Sequence, residues 1–178
     1  MTVAAEALGG AQAALDRTVG YAKERVQFSR AIGSFQAYKH RLADMMIEIE
    51  QARSAVYWAA CAVEEGSDEA ELAVHSAKCF AADTYFMCAG NMIQLHGGIG
   101  FTWEHDAHLY FKRARALQSM LGSGNWHRER IASGNNWTFV WQTGEELRLK
   151  GIALDREFSG DQEGWGITDG SAGLRGRL

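Results

Sequence analysis

Apolar positions recur at three- and four-residue spacing along most of this chain, the period of helices that each bury one stripe. Over residues 2–27 the stripe is Ala7, Leu8, Ala11, Ala14, Leu15, Thr18, Val19, Tyr21 and Ala22. No capping box opens it, so it reads like a helix entered partway along. Residues 28–34 break the pattern, and Ser34 is placed to N-cap a second helix over residues 35–65. Leu42, Met45, Met46, Ile49, Ala52, Ala55, Val56, Ala59, Ala60 and Val63 form its stripe. Glu65-Gly66-Ser67 combines a C-terminal glycine with a fresh N-cap. Asp68, Glu69 and Glu71 then favour the positive end of a third helix, which carries Leu72, Cys79, Phe80, Tyr85, Phe86 and Ile93 and stops at Gly97-Gly98. A fourth helix is predicted over residues 103–121, with Leu109, Phe111, Ala114, Leu117 and Met120 inward, and a short one over residues 126–132. Long helices joined by short turns imply antiparallel neighbours. The predicted fold class is therefore all-α, an up-down antiparallel four-helix bundle with a poorly ordered C-terminal tail.

The character changes after Ser133, which divides the chain into a bundle at 1–132 and an irregular tail of unassigned role at 133–178. Residues 137–141 have strand composition but no evident partner, and residues 145–155 read as weakly helical. Glycine takes six of the last twenty positions, too many for a segment that must bury enough surface to order itself.

Composition narrows the function classes. The 178 residues suffice for one sizeable core. A net charge of −4 gives no basic surplus for nucleic acid or an anionic membrane. No apolar run is long enough to span a bilayer, and no leader segment is visible. Three scattered cysteines without metal spacing fit a reducing, cytoplasmic setting. His105 and His108 lack a third ligand, so no metal is expected. Proline is absent, where average usage predicts roughly nine, which suits uninterrupted helices.

The chemically distinctive stretch is Gln94-Leu95-His96-Gly97-Gly98-Ile99-Gly100-Phe101. Three glycines within four residues bare the backbone where a helix must stop, and a bare backbone admits a flat or anionic ligand. A Gly-Gly C-cap with no ligand accounts for the same residues.

Two motifs carry a family resemblance. One is Tyr21-Ala22-Lys23-Glu24-Arg25-Val26-Gln27-Phe28, followed by Ile32-Gly33-Ser34-Phe35-Gln36. The other is the Gln94 to Phe101 run with Tyr110-Phe111-Lys112-Arg113-Ala114-Arg115 after it. Their order and separation resemble the C-terminal helical domain of flavin-dependent acyl-CoA dehydrogenases. Members of that family are oligomers that oxidise an acyl-CoA to the 2,3-enoyl-CoA. A carboxylate takes the α-proton, FAD takes the β-hydrogen as hydride, and an electron-transfer flavoprotein or similar acceptor follows.

The resemblance implies an FAD site shared with other domains or a neighbouring subunit. It assigns Arg25 to the pyrophosphate, where a guanidinium fork suits phosphate oxygens. Phe28 goes to the adenosine part and Gln27 to a hydrogen bond. Gln94, Leu95, Gly97 and Gly98 meet a neighbouring subunit's cofactor, and Ser123 and Asn125 stand at further flavin contacts. Each has a plainer alternative: a solvated arginine at a helix end, a core phenylalanine, a surface glutamine, a capped helix terminus. Lys112, Arg113 and Arg115 read as a solvated face, and the charges of residues 126–130 as helix-surface pairs.

The sequence departs from the family at one decisive position. Aligned through Tyr110 to Arg115 and Arg128, the catalytic glutamate position is Leu121, which cannot accept a proton. Other members place the base on the first helix of this domain, before the matching point here, and Glu6 falls too late. No catalytic residue is therefore assigned. Either the base lies outside this sequence, or the chain is a catalytically silent subunit of a heteromeric enzyme of actinobacterial type. Bulky acyl-CoA thioesters such as steroid side chains then become substrates of the parent, by analogy alone.

Overall fold

In the computed structural model, five helices run through residues 1–134: α1 (Thr2–Glu24), α2 (Gln36–Glu64), α3 (Ala70–His96), α4 (Ala107–Ser119) and α5 (Gly124–Gly134). Besides residues 1–134, the structure describes the backbone of 138–142, 146–150, 166–167 and 174–175. The chain divides into two compact units, Met1–Arg128 and Glu129–Leu178. The first is an all-α, up-down antiparallel bundle of α1 to α4 in which α3 packs against α1, α2 and α4. Among the described residues no helix is long and apolar enough to cross a membrane.

Small residues make the bundle tight. Ala7, Ala11 and Ala14 of α1, Ala52 and Ala59 of α2, and Ala73, Ala77, Ala81 and Ala89 of α3 are all fully buried. Around them Met45, Ile49, Met92 and Leu117 fill the interior. With so little side-chain volume between backbones, ridges of one helix settle deep into grooves of the next. At Gly10 a Cβ would fall 2.4 Å from the Tyr85 ring, so this glycine is set by packing.

Several predicted details are corrected. Ser34 does not cap α2. Its hydroxyl donates to the Ala31 carbonyl at 2.7 Å inside the short 3-10 turn Ile32–Ser34, and α2 starts after Phe35 with no side-chain cap. Met46, Ala60 and Val63 face solvent, and Ala62 takes the core position instead. The fourth helix begins at Ala107, because Gly97–Phe101 forms a 3-10 turn and His105 Nδ1 accepts the Ala107 N–H at 3.1 Å. Leu109 and Met120 lie outside its buried stripe.

In the second unit, the strand thought to lack a partner has one. Thr138–Gln142 pairs antiparallel with Glu146–Lys150, from Thr138↔Lys150 to Gln142↔Glu146. The helix expected over 145–155 is thus replaced at 146–150, where Leu147 and Leu149 alternate with polar residues at the strand period. The expectation for the last twenty residues lies outside the described ones, apart from the pairing of Gly166–Ile167 with Leu174–Arg175.

Candidate functional site

The antiparallel order puts the C-termini of α1 and α3 at one end of the bundle. Two tyrosines fasten them. Tyr21, in the last turn of α1, donates its hydroxyl to the His96 carbonyl at 3.4 Å. Tyr38, in the first turn of α2, donates to the Leu95 carbonyl at 3.0 Å. The last carbonyls of a helix have no partner within it, so both hydroxyls satisfy groups that α3 itself cannot. His96 completes the joint. It is buried, its Nδ1 lies 2.7 Å from the Met92 carbonyl, and its ring stacks on Tyr21 at 4.4 Å and against His105 at 4.3 Å. Burial pushes the His96 imidazole below its ordinary pKa; the Met92 hydrogen bond opposes this and His105 adds to it.

Past α1 the chain makes a two-residue hairpin. Val26–Gln27 pairs with Arg30–Ala31, and the turn residues Phe28 and Ser29 sit at φ 52° and 61°. Two left-handed residues match the twist of the flanking strands. For a phenylalanine that backbone costs about 1 kcal/mol. The ring gains nothing inside to compensate: Phe28 is 88% exposed, which rules out the core-packing alternative. Its ring meets Phe35 edge-on at 6.2 Å, and the Arg30 guanidinium lies 3.9 Å from the Phe35 ring. Arg25 and Gln27 are exposed beside it, with the Gln27 amide donating to the Val26 carbonyl.

On the α3 side of this end, Gln94, Gly97 and Gly98 are exposed and Leu95 is buried. Gly97 is required by its φ of +64° as the residue that ends α3. Gly100 is required by packing, since a Cβ there would fall 2.7 Å from the Ile93 carbonyl. Gly98 has neither reason: its φ is ordinary and a Cβ would meet nothing within 4 Å. The unit therefore leaves bare backbone open at Gly98 without needing it internally.

The structure thus brings Arg25, Gln27 and Phe28 to the same end as Gln94, Leu95, Gly97 and Gly98. It does not bring Ser123 and Asn125 there. Those two share a groove with Asp83, Arg115, Gln118 and Arg128. Asp83 lies eleven residues before Gln94, about 16 Å along α3. Ser123 Oγ accepts the Trp126 N–H, so it also caps α5, and Asn125 Oδ1 accepts from Arg128. Leu121 is exposed at φ 59°.

Glu6, the nearest candidate for a displaced base, is committed elsewhere. Arg113 holds it with two hydrogen bonds of 2.6 and 2.9 Å. The Arg113 hydrogen bond keeps the Glu6 carboxyl below its usual range. That is the wrong direction for a general base working near neutrality. Arg113 is therefore an inter-helix partner rather than part of a purely solvated face. Lys112 lies 4.4 Å from the Trp103 ring, and Arg115 donates to Gln118. Among the described residues no group of three or more His, Cys, Asp or Glu side chains is set to hold a metal.

Four buried polar side chains went unread as buried in the sequence: Lys78, Thr84, His96 and His127. The signal for Lys78 was its register, four residues before Ala82 and seven before Tyr85 on the core stripe.

Comparisons with known proteins bear on this arrangement. The family profile described as "Acyl-CoA dehydrogenase, C-terminal domain" matches residues 1–135. Acyl-CoA dehydrogenase IpdE2 of Mycobacterium tuberculosis is 49% identical over 121 residues, 68% of this chain and 36% of that protein. Among solved structures, the ChsE4–ChsE5 complex of Mycobacterium tuberculosis matches at 36% identity and a TM-score of 0.69, over 74% of this chain and 35% of the other. The FAD complex of PigA matches at 29% identity and a TM-score of 0.70, over 73% and 34%. This chain thus spans about a third of the length of the relatives it matches. It belongs to the acyl-CoA dehydrogenase family, whose C-terminal domain it constitutes over residues 1–135.

Proposed function

We propose that this bundle is the FAD-contacting and subunit-contacting domain of an acyl-CoA dehydrogenase and does not dehydrogenate by itself. One observation carries the reading. The Tyr21 and Tyr38 hydroxyls converge on the last carbonyls of α3, so an exposed guanidinium, an exposed aromatic ring and an open glycine backbone share one end of the bundle. That donor set suits a dinucleotide. Arg25 takes a diphosphate, the Gly98 backbone admits close approach, and Phe28 offers a flat apolar face. The strain at Phe28 and the unneeded glycine at 98 both have a use if a ligand lies against them. The FAD complex of PigA supports the cofactor assignment.

Bound FAD would supply the hydride acceptor for α,β-dehydrogenation of an acyl-CoA. The residues of this chain bind and orient; none at position 121 removes a proton. Exposed Leu121, with Glu6 locked to Arg113, favours the second reading of a catalytically silent subunit in a heteromeric enzyme. The similarity to the ChsE4–ChsE5 complex is in keeping with that.

The test uses the enzyme assembled from this chain and the subunit or domains that complete it. Arg25→Ala is expected to strip most of the flavin while the assembly keeps its mass. Full flavin content in that variant would leave assembly as the bundle's whole role. The chain alone is expected to purify colourless, and a stoichiometric flavin absorbance band in it overturns the shared-site reading.

A further inference from the structure

Among the described residues Lys78 is the one lysine or arginine that is buried, at 4% exposure. Its ammonium donates to the Gln118 carbonyl at 3.0 Å and to the Gly122 carbonyl at 2.6 Å. These two acceptors bracket the end of α4 and the turn that follows. Between them the backbone does something a peptide avoids: Leu121 and Gly122 are consecutively left-handed, at φ 59° and 110°. The Leu121 side chain, 75% exposed, does not hold the turn. On its far side the turn abuts α5, where a Cβ on Gly122 would lie 2.7 Å from the Trp126 ring. From inside, the lysine grips the two flanking carbonyls, beside the buried His127 ring, which meets the Leu121 backbone.

We propose that Lys78 is a positioning residue. By tying the Gln118 and Gly122 carbonyls together it locks the Leu121–Gly122 turn and so sets Ser123 and Asn125 where they meet the flavin. The proposal rests on the FAD reading above together with the flavin contact that the family resemblance implies for Ser123 and Asn125, in a groove apart from the Tyr21–Tyr38 end. Three features favour it. A lysine ammonium is a compact donor with three hydrogens, suited to two carbonyls that converge from one side. It sits at the negative end of α4, where a cation is favoured. And the turn it holds leads straight into Ser123, whose hydroxyl caps α5, so a shift in the turn displaces both Ser123 and Asn125.

Methionine is unbranched like lysine, one atom shorter, and lacks the donors. Lys78→Met is therefore made in the assembled enzyme. Hydrogen exchange of the Met120 and Gly122 amides, which bond to the Ala116 and Ser119 carbonyls, is expected to quicken about ten- to a hundredfold. The FAD Kd should rise about tenfold. Amides of the Tyr21–Tyr38 end should be unchanged. Adding Leu121→Gly, which makes the left-handed backbone nearly free of cost, should recover most of both losses. A lysine that merely filled space would not be rescued by a glycine on the surface. Unchanged exchange at the turn in Lys78→Met overturns the proposal. So does faster exchange with unaltered FAD affinity while Arg25→Ala still loses flavin. If both variants keep flavin, the failure is that of the FAD reading itself. Should Lys78→Met not fold, Gly122→Ala displaces the turn with the ammonium in place. It must then weaken FAD binding to the same degree, and unaltered affinity overturns the proposal.

Discussion

At one end of the bundle two neutral tyrosine hydroxyls cover the last carbonyls of α3; at the other a buried ammonium covers the Gln118 carbonyl of α4 and the Gly122 carbonyl of the turn after it. Both answer the same demand, since a helix terminus leaves backbone acceptors without partners. The tyrosines bring ring area: Tyr21 stacks on His96, and Tyr38 packs against the bundle core. They hold the end without burying a charge. The lysine makes stronger bonds and suits the helix dipole, but its ammonium is desolvated. Burial pushes the Lys78 ammonium below its ordinary pKa, while nearby Asp83 opposes the shift. The difference shows in the backbone beyond each joint. After α3 a glycine turns the chain at no cost; after α4 a leucine is held left-handed. A charged clamp can hold a turn that neutral caps would release.

Removing the clamp should have the largest effect. Lys78→Met should lower the unfolding free energy by about 2–3 kcal/mol, because two partly buried carbonyls lose a charged donor. Urea denaturation of the chain reads this directly, and a loss no greater than that of a tyrosine variant would erase the distinction between the ends.

Next in size is Gly100→Ala, at about 2 kcal/mol, since its Cβ would press on the Ile93 carbonyl at 2.7 Å. Gly98→Ala, two residues away and open to solvent, should leave the urea midpoint unmoved and instead cost the assembled enzyme its flavin. Equal destabilisation by both would mean that the Gly98 backbone is not reserved for a ligand.

Tyr38→Phe should cost about 1 kcal/mol and Tyr21→Phe less, in the order of their 3.0 and 3.4 Å hydrogen bonds. A reversed order in the same denaturation series would shift the main joint from α2 to α1.

The smallest effect is in pH, and it touches both ends. Burial lowers the pKa of His96 at one end and of His127 at the other, where the Lys78 charge and His75 add to it. Folded pKa values below the ordinary 6.5 mean that the unfolded chain binds more protons in the window between. Stability from these groups is therefore complete above that value and is lost as pH falls through the folded ones. The denaturation midpoint should drop between pH 7.5 and 5.5. His127→Gln should flatten the drop more than His96→Gln, because only His127 also faces the lysine.

The stripes of α1 and α3 were legible because a 3.6-residue period is a local property: Ala7, Ala11 and Ala14 declare their face unaided. The face of α2 was less so. Met46 and Val63 are as apolar as Met45 and Val56, and only the packing of α1 and α3 decides which of them is covered. The hairpin at residues 26–31 was missed because its turn holds Phe28 and Ser29, with no glycine or asparagine to signal left-handed backbone. Arg25, Phe28, Gln94 and Gly98 could be named from motifs. Lys78 had only its register on the core stripe to mark it, and an isolated lysine in a helix reads as solvated until a second helix is seen to end above it.

What the sequence alone determined is the helical bundle, its family and the absence of a proton acceptor at Leu121, all of which follow from residue identity and spacing. Which of these residues share an end follows from the packing of the helices. Periodicity records neighbours along one helix. Whether Tyr21 and Tyr38 meet the carbonyls of Leu95 and His96, or Lys78 those of Gln118 and Gly122, depends on how antiparallel helices align end to end. That alignment is set by the sum of many small apolar contacts across the bundle, and no single segment carries it.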